Sequence, residues 1–165
     1  MADIEIRPFT ASDVDGVVSL IVPIQAEEFG IAITAADQPD LMTIPEFYQS
    51  GKGQFWVAIR DGKVVGTLGL KDIGNDQSAL RKMFVAAEFR GSEHGVAAML
   101  LSALFDHAAE IGIKDIFLGT TDKFLAAHRF YEKNGFAEVD PSSLPPSFPR
   151  MAVDSKFYRR RVRQD

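Results

Sequence analysis

The sequence predicts a mixed α/β fold, in which a central mixed sheet of about six to seven strands is flanked by helices on both faces. Two observations lead to this prediction. The first half of the chain contains strand-like runs joined by tight turns, which is typical of antiparallel pairing. The second half alternates strand, helix, strand, helix and strand, which adds a parallel pair. No linker or internal repeat interrupts the 165 residues, so we predict a single domain, 1–165.

The first strand and helix are predicted from a short alternating run and its cap. Residues 4–7 alternate apolar and polar side chains, and Pro8 ends the strand. Thr10 or Ser12 can cap the helix that follows, whose apolar face is formed by Val14, Val17, Val18 and Ile21. Between Pro23 and Pro45 the pattern weakens, and we interpret this part as a second helix with irregular surroundings, acting as a lid over a site.

Three strands follow a short helix that closes at residues 47–48. Residues 54–59 and 63–70 are β-rich and are joined through Asp61-Gly62, a strong hairpin signal. A second turn at 72–77 leads to a third strand at 78–85. These features predict an antiparallel meander.

A long helix beginning near Gly95 is the strongest helical prediction. Gly112 ends it, and its apolar face comprises Ala97, Leu100, Leu101, Leu104, Ala108 and Ile111. The remaining elements are a buried strand at 116–118, a helix from Asp122 to Asn134-Gly135, a strand at 136–139, a proline-containing loop at 141–149 and a last strand at 151–158.

Composition excludes several classes of function. The chain has 46% hydrophobic residues and a net charge of −5, as in an ordinary soluble globular protein, and this charge disfavours nucleic-acid binding. Without cysteine there is no disulfide, thiolate nucleophile or cysteine metal site, and three scattered histidines predict no metal centre. We interpret the basic run 159–163 as a solvated end. No apolar run approaches ~18 residues and the start is unlike a signal peptide, so we predict a cytoplasmic protein without membrane contact.

The start of the long helix indicates a phosphate site. A helix that opens in small residues presents unpaired backbone N–H groups at the positive end of its dipole. Here the opening is Gly95-Val96-Ala97, and glycine at 95 lets the backbone approach a ligand without a Cβ. The chain is therefore predicted to bind a phosphorylated cofactor.

A second motif, Ala127-His128-Arg129-Phe130-Tyr131-Glu132-Lys133-Asn134-Gly135-Phe136, indicates which cofactor. Together with the glycine-opened helix some thirty residues earlier, it resembles the GNAT superfamily of acyl-CoA-dependent N-acetyltransferases. The resemblance covers nearly the whole chain, from residues 4–8 through the last strand. It implies a GNAT-like sheet and acetyl-CoA as the acetyl donor.

The resemblance also implies which residues contact the cofactor. In the family, the pyrophosphate binds backbone amides after a Gln or Arg, two residues, Gly, one residue, and Gly or Ala. Ser92 stands here where Gln or Arg is expected, and Arg90-Gly91 lies two residues too early. We expect a pantetheine contact through the backbone of the third strand, which in the family splays from its neighbour. The predicted cofactor contacts are Met83, Phe84, Val85, Arg90, Gly91, Ser92, Glu93, His94, Gly95, Val96, Ala97, Thr120 and His128.

Tyr131 matches the family tyrosine that reaches the cofactor sulfur, and we expect it to act as the general acid. A backbone N–H of Phe84 or Val85 would polarise the thioester carbonyl. A glutamate expected near the start of the third strand is replaced by Ser78-Ala79-Leu80-Arg81. The general base is therefore left open between solvent and four acids: Glu27, Glu28, Asp37 and Asp72.

The predicted acceptor is a small-molecule amine, with Glu28 and Arg81 as substrate-binding residues. If Arg81 or Lys82 faces the pocket, the acceptor carries a carboxylate or phosphate as well as its amine. Two alternatives remain open, namely a catalytically inactive acyl-CoA-binding regulatory module and a protein lysine or N-terminal acetyltransferase. The exposed edge strands would permit a homodimer.

Overall fold

A mixed sheet forms the centre of the protein. The structure, a computed structural model, describes residues 3–27, 30, 34–91, 94–122, 125–151 and 154–162. Within these residues the sheet has seven strands in the order β1-β2-β3-β4-β5-β7-β6. The strands are β1 (Glu5–Pro8), β2 (Gln54–Arg60), β3 (Lys63–Gly74), β4 (Gln77–Val85), β5 (Asp115–Thr120), β6 (Ala137–Val139) and β7 (Lys156–Arg161). The parallel pair is β4 with β5, and the other neighbours are antiparallel. The predicted mixed sheet is confirmed.

Helices cover both faces of this sheet, as predicted. They are α1 (Val14–Glu27), α2 (Pro39–Met42), α3 (Ile44–Phe47), α4 (Val96–Ile111) and α5 (Leu125–Lys133). Alternate side chains of a strand point to opposite faces, and β2 divides accordingly. Phe55 and Val57 pack with α1, α2 and α3, whereas Trp56 and Ala58 belong to the core formed by α4 and α5.

Both hairpin loops have two residues in the left-handed region, which suits the twist of the flanking strands. These residues are Asp61 and Gly62 in the first loop and Asn75 and Asp76 in the second. The first loop was predicted. The second is tighter than the predicted turn at 72–77, because β3 continues to Gly74 and β4 begins at Gln77.

The last strand differs from its prediction. It spans Lys156–Arg161 rather than 151–158, so the basic run is part of the sheet and the interpretation as a solvated end is wrong for 159–161. Arg159 forms an ion pair with Asp115 at 2.9 Å, and the Arg160 guanidinium lies 3.8 Å from the centroid of the Phe105 ring. Long arginine stems can cover apolar surface while their charged ends find partners, which periodicity alone does not reveal.

Within the described residues, the predicted second helix between residues 23 and 45 is present only as the four-residue helix α2, whereas α3 is the short helix predicted to close at 47–48. Instead, α1 continues through Pro23 to Glu27. Residues 28–29 and 31–33 lie outside the described residues. Ile111, predicted on the apolar face of α4, is exposed in its last turn.

The feature of the sheet that creates a site is the parting of β4 and β5. These strands pair only at Gln77–Asp115, Ser78–Ile116 and Ala79–Phe117. Beyond these pairs β4 continues to Val85 and β5 to Thr120 without pairing to each other. The sheet therefore opens into a gap at the carboxyl ends of its two parallel strands.

Candidate active site

A cavity of about 540 Å³ occupies the gap between β4 and β5. Residues 80–84 of β4 form one wall, and residues 118–121 at the end of β5 form the other. Residues 125–127 and Tyr131 contribute from α5, and the chain before β7 contributes four residues, which are Phe148, Pro149, Met151 and Asp154. The walls thus come from elements far apart in sequence.

The β4 wall contains a β-bulge. Arg81 pairs with Gly69 and Phe84 with Thr67, so Lys82 and Met83 both lie opposite Leu68. Lys82 has a φ of 57°, and its carbonyl accepts a hydrogen bond of 2.8 Å from Thr67 Oγ1. A bulge leaves one backbone N–H out of the ladder, here in a segment that lines the cavity.

The Lys82 side chain is held by a buried polar network. Its ammonium donates to Gln38 Oε1 at 2.7 Å and lies 3.6 Å from Asp40 Oδ2. Gln25 and Gln38 exchange two amide hydrogen bonds of 2.8 and 3.0 Å. Tyr48 donates to Asp40 at 2.6 Å. Burial lowers the pKa of Lys82, and Asp40 opposes this effect. The network connects α1, α2 and the residue after α3 to the cavity wall.

Arg81, predicted to bind substrate, lines the cavity. Its guanidinium lies 5.4 Å from the centroid of Phe47, and Nη2 lies 3.6 Å from the sulfur of Met151. Within the described part of the chain, no carboxylate comes within 4.0 Å of it, so Arg81 has no direct ion pair there. Unlike Lys82, it therefore gives the cavity a positive charge without a carboxylate partner in contact.

Tyr131, predicted to be the general acid, lines the same cavity. Its ring packs among Phe130, Phe136 and Tyr158, and the residue is only 9% exposed. Burial raises its pKa to about 12, and Tyr158 adds to this effect. The hydroxyl is consequently protonated at neutral pH and available as a hydrogen-bond donor.

The start of α4 has the predicted form of an anion site. Gly95 is the N-cap, with a φ of 65°, and the first turn contains no acidic residue. Since the first intrahelical bond runs from Met99 N to Gly95 O, the backbone N–H groups of residues 96–98 have no partner within the helix. The Val96 side chain is buried in the core, so its contribution is limited to the backbone.

Other predicted cofactor residues lie around this helix start. Arg90 lines the cavity, and its Nε donates to the Val85 carbonyl at 2.8 Å. Gly91 is exposed, and the His94 ring packs edge-on against Phe89. Ala97 is half-buried in the first turn. Ser92 and Glu93 lie outside the described residues.

The structure brings some of the predicted contacts to the cavity and not others. Met83, Phe84 and Thr120 line it. Val85 is buried and is not among the lining residues. His128 is also buried, and its Nε2 lies 2.8 Å from the Thr121 carbonyl oxygen, so it has a structural hydrogen bond rather than a place in the cavity wall.

None of the described acids that the sequence suggested as the general base lines the cavity. Glu27 is exposed, Asp37 accepts hydrogen bonds from Thr34, and Asp72 accepts from the backbone of Lys52 and Gly74. Glu28, also predicted to bind substrate, lies outside the described residues. Among the described residues, the carboxylate that lines the cavity is Asp154, for which the sequence contains no local signal.

The sequence model of the acetyltransferase (GNAT) family matches residues 21–136, well over half of the chain. The chain belongs to the GNAT family. This confirms the resemblance drawn from the two sequence motifs.

Among the described residues, no group of three or more His, Asp or Glu side chains could hold a metal ion, and no helix is long and apolar enough to cross a membrane.

Two relatives in this GNAT family indicate the range of similar proteins. An N-acetylaspartate synthetase from Xenopus tropicalis is 35% identical over 135 residues, covering 78% of this chain and 48% of the relative. The uncharacterized N-acetyltransferase YjgM of Escherichia coli (strain K12) is 30% identical over 141 residues, covering 81% of this chain and 82% of the relative. The chain spans 34–48% of the length of the N-acetylaspartate synthetases that it matches.

The fold agrees with that of solved GNAT structures. A GNAT-family acetyltransferase from Staphylococcus aureus Mu50 is 40% identical and superposes with a TM-score of 0.91, covering 97% of this chain and 99% of the other. N-acetylglutamate synthase from Neisseria gonorrhoeae, solved with coenzyme A and N-acetyl-glutamate, shares the fold at 22% identity, with a TM-score of 0.77 over 99% of this chain and 36% of the other.

Proposed function

We propose that this protein is an acetyl-CoA-dependent N-acetyltransferase whose acceptor is the amine of a small molecule that also carries a carboxylate. The observation that carries this proposal is the shared cavity of Arg81 and Tyr131. Arg81 supplies a cation for the acceptor's anionic group, and Tyr131 supplies a hydroxyl for the leaving sulfur. Both act in a gap that is open to a thioester.

The residues present fit the cofactor. The N–H groups at 96–98, which have no partner within the helix, and the guanidinium of Arg90 would hold the diphosphate, because helix starts and arginine both favour phosphate. Beyond Ala79, β4 does not pair with β5, so a gap that can take the pantetheine arm opens along this side of the strand. The cofactor supplies an activated acetyl thioester.

The bulge at Lys82–Met83 supports a role in polarising the thioester carbonyl. A backbone N–H outside the ladder can donate to the oxygen on which negative charge grows. The sequence predicts this role for Phe84 or Val85. The bulge favours residues 82–83 instead, because these are the two that lie opposite a single residue of β3.

Tyr131 acts on the leaving group. The amine forms a C–N bond to the acetyl carbon, the C–S bond breaks, and sulfur leaves with that electron pair. A thiol has an ordinary pKa of about 8.5, well below the value of about 12 for Tyr131. Complete proton transfer from the isolated phenol would be uphill by about 5 kcal/mol. Tyr131 therefore first donates a hydrogen bond to the leaving sulfur. Its proton moves to the sulfur as the substrate nitrogen gives its own proton to Tyr131.

The acceptor class is supported by charge and by the relatives. Asp40 offsets the charge of Lys82, whereas Arg81 remains available for a carboxylate. The N-acetylaspartate synthetases among the relatives are named for a product that contains carboxylates. An acidic amino acid such as aspartate is the first acceptor to test.

The test is a thiol-release assay with acetyl-CoA and pairs of amines that differ by one carboxylate. We expect turnover to favour the carboxylate-bearing member of each pair. Replacement Tyr131→Phe should lower kcat by about 10²-fold or more while coenzyme A binding stays within twofold, since donation to the leaving group is a catalytic interaction. Tyr158→Phe is the matched control, because its hydroxyl bonds Glu132 and does not line the cavity.

The results separate the alternatives. Coenzyme A binding without thiol release from any amine would instead favour a regulatory acyl-CoA-binding module. Faster turnover of lysine-containing or N-terminal peptides than of small acidic amines would favour a protein acetyltransferase. A Tyr131→Phe variant with unchanged kcat would contradict the role given to Tyr131.

A further inference from the structure

We infer that Asp154 is the catalytic base that takes a proton from the ammonium group of the acceptor. The inference deepens the proposed function and rests on it. Asp154 belongs to the chain just before β7, and it lines the cavity together with Arg81 and Tyr131. Glu27, Asp37 and Asp72, the described acids among the four considered from the sequence, do not line this cavity.

Asp154 lies directly against the end of β5. A Cβ on Gly119 would come within 2.6 Å of Asp154 Oδ2, so glycine at this position makes room for the carboxylate. Gly119 itself lines the cavity. The carboxylate is therefore placed over the strand that forms one wall of the gap, and not on the outer surface of the loop.

Among the described residues, one oxygen of Asp154 accepts a hydrogen bond and the other does not. Oδ2 accepts a hydrogen bond of 3.0 Å from the backbone N–H of Met151, which fixes the side chain. Oδ1 accepts no hydrogen bond from any of the described residues. Since no buried side-chain oxygen there lacks a partner, this atom is accessible to a ligand.

Burial has the largest effect on Asp154 and raises its pKa above its ordinary value. The Met151 hydrogen bond, Arg81 on β4 and Arg150 on the preceding loop act in the opposite direction. Lys82 and Tyr131 also face the cavity, the former offset by Asp40 and the latter protonated. A carboxylate with a raised pKa is a stronger base than one at the surface.

The proton balance is simple. The acceptor arrives as R–NH₃⁺ and gives one proton to Asp154, which becomes a neutral carboxylic acid. The freed lone pair forms the C–N bond while the C–S electron pair leaves with sulfur. A second proton passes from nitrogen to sulfur by way of Tyr131, and the third remains on the amide. Asp154 returns its proton to solvent after the product leaves.

The experiment is the pH profile of kcat/KM for Asp154→Asn against the wild-type protein. Asparagine has nearly the same shape and keeps an oxygen for Met151, so the loop contact is retained while the base is lost. We expect a loss of about 10²-fold at pH 7. Without a base the variant must use the small fraction of neutral amine, so the loss should shrink about tenfold per pH unit until the amine is itself deprotonated.

Asp140→Asn is the matched control. Asp140 is exposed on the same stretch of chain and caps the turn at 141–143 through Ser142 N, a role that asparagine also fills. We expect it to keep the wild-type profile. Stabilisation by coenzyme A, measured by thermal shift, should be equal in all three proteins.

Other results would contradict either the assignment of Asp154 or the proposed function. An Asp154→Asn variant as active as wild type, or one equally impaired at every pH, would overturn the assignment of Asp154. A wild-type protein that acetylates no amine would overturn the proposed function, and the assignment with it.

Discussion

Lys82 combines two features that each cost free energy. Its left-handed backbone costs on the order of 1 kcal/mol for a residue with a side chain, and its ammonium is buried, with the side chain 5% exposed. A buried ion pair rarely adds net stability. The contacts with Gln38 and Asp40 therefore offset the free-energy cost of burying the Lys82 ammonium rather than adding net stability. The result is a bulged strand in which Asp40 balances the buried cation Lys82, while the neighbouring cation Arg81 has no carboxylate of the described residues in contact.

This difference between Lys82 and Arg81 leads to a prediction about how a carboxylate-bearing amine binds. Arg81→Gln should raise KM for a carboxylate-bearing amine by about 10- to 100-fold, the worth of a hydrogen bond between charged groups, with a smaller effect on kcat. The matched amine without a carboxylate should be little affected. Steady-state kinetics with both amines measures this. The control is Arg161→Gln, because that side chain is 81% exposed and lies outside the cavity wall. Equal losses for both amines would contradict carboxylate recognition.

The residues of the cavity were predictable to unequal degrees. Tyr131 lies in a local motif, and Arg81 lies in a strand that the sequence predicts. Both could therefore be proposed from the sequence. Asp154 could not, because its position depends on contact between Gly119 and a segment 35 residues later in the chain. His128 shares the motif of Tyr131 but bonds Thr121, a packing detail that no local pattern encodes.

At the scale of elements, the start of the chain shows how α1 is positioned. Arg7 in β1 makes two hydrogen bonds, of 2.7 and 2.9 Å, to the Asp13 carboxylate just before α1. Asp13 also accepts from the backbone N–H of Thr10 at 2.8 Å. This contact joins the edge strand to the helix that brings Gln25 to the cavity.

The Asp13 contact predicts a pH-dependent stability. Hydrogen bonding from Arg7 is the main reason that the pKa of Asp13 is lowered from 3.8. A lowered folded-state pKa contributes stability that is present above pH 4 or so and is lost as pH falls through the folded value. Asp13→Asn should therefore lower the free energy of unfolding by about 1–2 kcal/mol at pH 7, and the difference from wild type should shrink below pH 4.

Urea unfolding at pH 7 and pH 3 measures this difference. Asp15→Asn is the control, since Asp15 is exposed in the first turn of α1. We expect it to change the stability by less than about 0.5 kcal/mol at either pH. A deficit for Asp13→Asn that is the same at both pH values would show that the ion pair is not its source.

Elements with local signals were predicted well, and those defined by distant contacts were not. Asp61-Gly62 specifies a two-residue hairpin, and the glycines at 95 and 112 delimit α4 by adopting left-handed conformations. The bounds of β7 were displaced because its arginines appear polar in isolation. Their pairing with Asp115 and stacking on aromatic rings become visible only in the folded sheet.

At the scale of the whole molecule, the sheet consists of two parts. Strands β1 to β4 form one part and β5, β7 and β6 the other, joined by three residue pairs at one end of the β4–β5 boundary. The cavity lies where this joining stops. A ligand bound there would contact both parts, through β4 and Arg90 on one side and through β5 and α5 on the other.

This arrangement predicts strong stabilisation by coenzyme A. A ligand at 100 times its dissociation constant adds about 2.7 kcal/mol to the free energy of unfolding, which for a protein of this size raises Tm by about 5–10 °C. S-acetylpantetheine lacks the diphosphate and should give a much smaller shift at the same concentration. Thermal unfolding with each ligand measures this. Tyr131→Phe should respond like wild type, because its hydroxyl serves the leaving sulfur and not the diphosphate. Equal shifts from both ligands would mean that the amides at the start of α4 do not hold the diphosphate.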